Sequence, residues 1–247
     1  MMPFLLLMLL SVALSTGGTI VYFVIRRSRL KYYEPQLRES DHRVALKAYS
    51  PLRMTYAPRP SCWLAVKSTN LLAVQTALGL HNPKPCSWVE GLAGEEKLFI
   101  APPVRGWVLV IGSGLPDPSE DVDACFRFLL NLSRKLGHVQ FFSASRILQH
   151  HAWVRVERGR IVRAYAWAGK TIWKQGARTV AEKELALKCF DYGDAGQGNS
   201  FGQPDGVLTN VDKVPLLAAR WSLDPAGIDE RFLEHEQGVA GEPSRRY

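Results

Sequence analysis

No two cysteines of this 247-residue sequence stand in a CxxC spacing; Cys62, Cys86, Cys125 and Cys189 are scattered singly. Zinc-knuckle and thioredoxin-like readings therefore lose their support, and the expectation is reduced, mostly buried thiols. No segment repeats with a period of about 20–50 residues, which argues against a solenoid or propeller. There is no GxGxxG and no Gly-Lys-Ser/Thr. The stretch Val110–Ile111–Gly112–Ser113–Gly114 lies between an apolar run and a helical pattern. The helix start that would receive a phosphate, however, carries Asp117, Glu120, Asp121 and Asp123, so a turn is the reading. Asp191, Asp194 and Asp205 miss the EF-hand spacing. Residues 191–206 read as a flexible Gly/Asp-rich loop, with a lid over a site as the alternative. Neither a metal nor a cofactor is expected.

What is present begins with one long apolar run. Pro3–Ile25 holds 23 residues without a charged side chain. As a helix it measures about 34 Å, enough to cross a hydrocarbon core of about 30 Å. Arg26, Arg27, Arg29 and Lys31 follow at once, so the positive-inside rule puts the rest of the chain in the cytoplasm. A cleaved signal peptide is the competing reading, with Ala13–Leu14–Ser15 as a loose cleavage site; the start lacks a basic n-region. The same cluster bears on the charge. The chain carries 31 basic and 23 acidic residues, and these four supply half of the surplus of eight. They would face anionic headgroups at about 1 kcal/mol each. The expected partner is thus the lipid bilayer, and nucleic acid is not expected.

The remainder has ordinary globular composition, 47% hydrophobic and 22% charged overall. Residues 1–25 read as a transmembrane anchor, 26–60 as a basic juxtamembrane linker, 61–225 as one α+β domain, and 226–247 as a loose polar tail. The domain is expected to hold a mixed or antiparallel sheet of about five to seven strands, with helices mainly on one face. Expected strands are Cys62–Val66, Lys97–Ala101, Trp107–Ile111, Val139–Ser143, His151–Glu157, Ile161–Trp167 and Thr171–Lys174. A short helix capped by Ser68 or Thr69 stops at Gly79; residues 81–96 read as irregular, with at most a turn near Trp88. The pattern Val122, Cys125, Phe126, Leu129, Leu132, Leu136 predicts a helix opened by Asp117 as N-cap and closed by Gly137. Thr179 with Glu182 predicts a capping box for a helix to about Cys189. Val211–Trp221 reads as a final helix with Pro215 in its first turn.

The hairpin around Arg158–Gly159–Arg160 admits two registers. A two-residue loop pairs Val156 with Ile161 and mixes apolar with charged side chains on each face. A three-residue loop pairs Glu157 with Ile161 and gathers Ala152, Val154, Val156, Val162, Ala164 and Ala166 on one face. Register follows the hydrophobic pattern where a face is buried, so the second is favoured. His151, Trp153, Arg155, Arg163, Tyr165 and Trp167 then share the other face. That composition suits a protein-binding surface or a cationic platform for an anion. The alternative is a set of cross-strand pairs covered by a loop. His150 and His151 are adjacent on a strand and point to opposite faces, so they do not build one metal site.

Several segments resemble uncharacterised bacterial proteins: Pro102–Pro103–Val104–Arg105–Gly106–Trp107, Gly112–Ser113–Gly114–Leu115–Pro116, His150–His151–Ala152–Trp153 and Arg163–Ala164–Tyr165–Ala166–Trp167–Ala168–Gly169. The resemblance implies a bacterial inner membrane and brings no activity with it. The leading expectation is a membrane-anchored, non-enzymatic binding or adaptor module, immunity-like in form. It would recognise a protein partner through the aromatic and arginine hairpin face. The rival is a hydrolase or ligand-binding enzyme with its site between His151 and the 191–206 loop. It requires a closed pocket that joins His151, an acid and a nucleophile.

Overall fold

The computed structural model describes residues 60–93, 97–194, 207–228 and 236–243. The apolar run Pro3–Ile25, the basic cluster Arg26, Arg27, Arg29 and Lys31, and most of the linker lie outside the described residues, as do residues 195–206. Among the described residues no helix is long and apolar enough to cross a membrane.

Among the described residues nine strands form one antiparallel sheet: β1 Cys62–Lys67, β2 His81–Cys86, β3 Leu98–Ile100, β4 Trp107–Ile111, β5 His138–Ser145, β6 His150–Glu157, β7 Arg160–Ala168, β8 Thr171–Gln175 and β9 Gly238–Glu242. Their order is β2-β9-β3-β4-β1-β5-β6-β7-β8. The α-helices among the described residues are α1 Leu71–Leu78, α2 Trp88–Ala93, α3 Val122–Leu136, α4 Val180–Glu184 and α5 Val207–Trp221, and they pack on the sheet.

The helices cover both faces, which corrects the one-sided arrangement expected from the sequence. Val74 and Leu78 of α1 and Cys125, Phe128, Leu129 and Leu132 of α3 pack on Leu64, Val66, Val108, Val110, Phe141 and Val154. Trp88 and Leu92 of α2, Ala181 of α4 and Val214, Leu217 and Ala218 of α5 pack on Trp63, Leu109, Phe142, Trp153, Tyr165 and Trp167. Central β1 alternates between the two cores, so its apolar run is continuous.

Local signals account for most of the boundaries. Gly79, in the left-handed region, ends α1, while the N-cap is Asn70, whose side chain accepts from the Ala73 N–H. α3 starts later than its pattern suggests. Asp121 is its N-cap, and Asp117 instead organises a preceding turn by accepting from the Ser119 N–H and hydroxyl. Thr179 and Glu182 make the expected capping box, but α4 stops at Glu184. α5 begins at Val207, so Pro215 lies in mid-helix, where its missing N–H releases the Val211 carbonyl.

Two segments read as irregular are ordered. Residues 81–96 contain β2 and α2, and the supposed polar tail contains β9, wedged between β2 and β3. The sheet therefore extends beyond five to seven strands. Gly238 fits there because a Cβ would lie 2.4 Å from the Ile100 carbonyl oxygen. A strand written Gly-Val-Ala-Gly-Glu carries little β-propensity of its own and is held by its neighbours.

Candidate functional site

The β6–β7 hairpin closes with a two-residue loop and pairs Glu157 with Arg160, which corrects the favoured three-residue loop; only the expected sorting of the faces survives, by way of a bulge. Arg158 and Gly159, with φ of 47° and 71°, form a two-residue turn that pairs Val156 with Ile161. A bulge between Arg155 and Val156 then shifts the register, so that Arg155 meets Arg163, Trp153 meets Tyr165 and His151 meets Trp167. The faces sort as the three-residue reading required, except that Val162 is left exposed at the bulge.

The face carrying His151, Trp153, Arg163, Tyr165 and Trp167 is not a surface. All five side chains are 2% exposed or less, beneath α4, α5 and the segment 187–190. Burial corrects the exposed recognition face; the covered alternative describes it better, with helices doing most of the covering. Of the six candidates only Arg155 keeps substantial access.

The burial of Arg163 follows from its partners. Its Nε lies 2.9 Å and its Nη2 2.7 Å from Glu182 Oε1, and its Nη1 donates to the Ala164, Gln175 and Gly176 carbonyls. Glu182 also accepts from Trp153 Nε1 at 2.8 Å and from the Thr179 N–H and hydroxyl. Burial pushes the Glu182 carboxyl up, but the Arg163 and Thr179 hydrogen bonds outweigh it and hold the group below its ordinary range. The capping box is thus also the acidic half of a buried ion pair.

His151 stacks on Trp153 at 5.6 Å, and its Nε2 lies 3.1 Å from Asn210 Nδ2. Asn210 spans to the Lys188 backbone through both amide atoms. With Nε2 accepting, the proton sits on Nδ1, which is buried without a partner among the described residues. Burial, with His150 beside it, lowers the His151 pKa to about 3. Cys189 Sγ lies 3.2 Å from Arg163 Nη2, yet burial raises its thiol to about 11. Among the described residues, no carboxylate, thiol or hydroxyl is hydrogen-bonded to His151. No three His, Cys, Asp or Glu side chains among them are placed to hold a metal ion. His150 points to the opposite face, 3.9 Å from Asp117 Oδ2. None of the four cysteines is joined in a disulfide. Of the three aspartates in the Gly/Asp-rich loop, Asp205 lies outside the described residues.

Arg155 leads to a different site, at the turn end of the hairpin. A concavity of about 750 Å³ opens there between Lys67, His138, Glu157, Arg158 and Arg160. Four strand ends and one turn build it: β1 brings Lys67, β5 brings His138, β6 brings Glu157, β7 brings Arg160, and the turn brings Arg158. The turn is fixed to the end of α3, since the Gly159 N–H donates to Ser133 Oγ at 2.6 Å and the Arg158 N–H to the Gly137 carbonyl. Beside the concavity, Lys67 Nζ sits 5.8 Å from the centre of the Trp107 ring, and Trp107 meets His138 edge-on at 5.1 Å. Arg155 holds Glu157 through Nε at 2.9 Å and Nη2 at 2.7 Å. That bond keeps the Glu157 carboxyl ionised below its ordinary range. Burial and Arg155 lower the His138 pKa, while Glu157 partly opposes them.

The balance of charge is one-sided. Among the described residues, no carboxylate lies within ion-pairing distance of Lys67, Arg158 or Arg160, and the one acid in the concavity is engaged with Arg155. Exposed Arg134 adds a further cation against Gly159. The sequence reading missed this set because its members come from distant segments; the only local sign was Arg158–Gly159–Arg160. The chain matches no family model, no curated protein and no solved structure.

Proposed function

We propose that the chain is a non-enzymatic binding module, tethered to the cytoplasmic face of a bacterial inner membrane by Pro3–Ile25. It holds an acidic segment of a protein partner in the concavity at the hairpin turn. One observation carries the reading: Lys67, Arg158 and Arg160 surround a 750 Å³ hollow whose single carboxylate is already neutralised by Arg155. Cations held this close without counter-charges favour an anionic occupant and speed its encounter. Of the residues first assigned to recognition, Arg155 alone reaches this site, through Glu157, while His151, Trp153, Arg163, Tyr165 and Trp167 are buried in the core. The buried, neutral His151 and the protonated Cys189 offer no activated nucleophile, which weighs against the hydrolase alternative.

The test is titration of the full chain in detergent with a fluorescent oligoglutamate peptide. Wild type should bind in a salt-dependent manner, and Arg158→Glu with Arg160→Glu should weaken binding at least tenfold. Equal binding by the two proteins would refute the site. The tether is tested separately by C-terminal reporter fusions, active on the cytoplasmic side only if the orientation holds.

A further inference from the structure

The opposite end of the sheet has the reverse character. The β5–β6 turn carries Ile147 and Leu148, 83% and 68% exposed, two adjacent large apolar side chains presented to solvent. Two hydrogen bonds hold the turn. The Leu148 N–H donates to Ser145 Oγ at 3.1 Å, and Arg146 Nε donates to Asp212 Oδ1 at 2.8 Å, which fastens the tip to α5. Exposed adjacent apolar side chains of this size gain by leaving water, so their exposure is a standing incentive to bind.

Two further observations bear on what covers them. The domain begins beside the tip: Ser61 accepts from the Ala144 N–H at 2.8 Å, and Pro60 lines the same cavity of about 320 Å³ as Ile147. The 59 residues before Pro60 include the uncharged run Pro3–Ile25 and its basic flank. Trp63 also lines that cavity. It is 2% exposed, and its indole N–H has no partner among the described residues. A buried donor of this kind calls for an oxygen acceptor, and an ester carbonyl at a bilayer surface supplies one next to apolar chain.

We infer that the β5–β6 tip is an interfacial membrane contact: Ile147 and Leu148 enter the headgroup–acyl boundary, and the cavity behind them accepts lipid. The inference rests on the tether proposed above. Tethering makes such a weak contact sufficient, because the linker keeps the domain at high effective concentration near the surface. The basic concavity, at the far end of β6, is then directed away from the bilayer towards a partner.

The experiment reconstitutes the full chain in phosphatidylethanolamine/phosphatidylglycerol vesicles containing a phosphatidylcholine with a photoreactive acyl chain. Labelled peptides are mapped by mass spectrometry. The expected result is label in residues 3–25 and in 146–149, with the tip label falling at least tenfold in Ile147→Asp with Leu148→Asp while the 3–25 label is unchanged. Label in 3–25 alone, or in 155–163 in place of the tip, overturns the membrane contact and leaves the tether standing. Absence of label from 3–25 overturns both. The two substituted side chains are exposed, so the variant should fold, and near-ultraviolet circular dichroism checks that it does.

Discussion

The two faces of the sheet are built from the same strands and held by different physics. On the face under α1 and α3 the hairpin offers Ala152, Val154, Val156, Ala164 and Ala166, small side chains that let a helix settle close. On the face under α4 and α5 the intervening residues are His151, Trp153, Arg163, Tyr165 and Trp167. Large amphipathic side chains must bring hydrogen-bond partners into the core. The first face depends on shape and apolar burial, the second on a polar network that is strong when complete and costly when broken.

Breaking that network should give the largest effect. Glu182→Ala leaves the Arg163 guanidinium buried without a counter-ion and Trp153 Nε1 without an acceptor, and should cost about 3–5 kcal/mol in urea unfolding. Arg163→Met with Glu182→Leu should recover most of that loss, since the penalty comes from the orphaned charge. A double variant as unstable as the single one would show that the pair is needed for more than mutual neutralisation. On the other face Leu129→Ala should cost about 2–5 kcal/mol, with no polar rescue available.

Acid should separate the faces next. His151 titrates at about 3 when folded, against an ordinary value of 6.5. Its neutral burial therefore leaves stability intact above about pH 6.5 and lowers it progressively as pH falls towards 3. Between pH 7.5 and 5 that amounts to about 2 kcal/mol, at 1.4 kcal/mol per pH unit below 6.5. Glu182, held below its ordinary range, adds a loss only under more acidic conditions. His151→Gln should flatten the profile between pH 7.5 and 5, measured as the urea midpoint against pH; an unchanged slope would mean that another group carries it. The smallest effect belongs to the turn. Gly159→Ala meets a φ of 71° and the Arg134 side chain, and should cost about 1 kcal/mol in the same assay.

Much of this contrast was legible in the alternation of His151–Glu157 and Ile161–Trp167, which sorted the two sets of side chains correctly. Alternation tells which residues share a face; it does not tell what lies over it. The cover comes from α5, which starts just after the Gly/Asp-rich segment, and from 187–190, which is irregular chain where a helix was expected. The Thr179–Glu182 capping box was readable, whereas the second role of Glu182 was not, because Arg163 reaches it only through tertiary packing. β9 escaped because Gly238 and Gly241 serve close backbone approach, which composition reads as loop. The basic concavity escaped for a related reason: Lys67, His138 and Arg160 meet only once β1, β5, β6 and β7 are in register.

The position of β9 also bears on the order of events as the chain is made. Among the described residues β9 is the one strand that pairs with β2, and the partner of His81 is Glu242, 161 positions later. One edge of the sheet therefore cannot close until Glu242 has been synthesised. A ribosome still elongating at residue 230 carries a nascent domain with β2 and the outer edge of β3 unsatisfied, which favours holding by chaperones. Closure by so distant a pairing is intrinsically slow. Truncation before Gly238 should accordingly be felt as a folding defect at the far edge of the sheet, on residues that no local reading would connect to the removed segment.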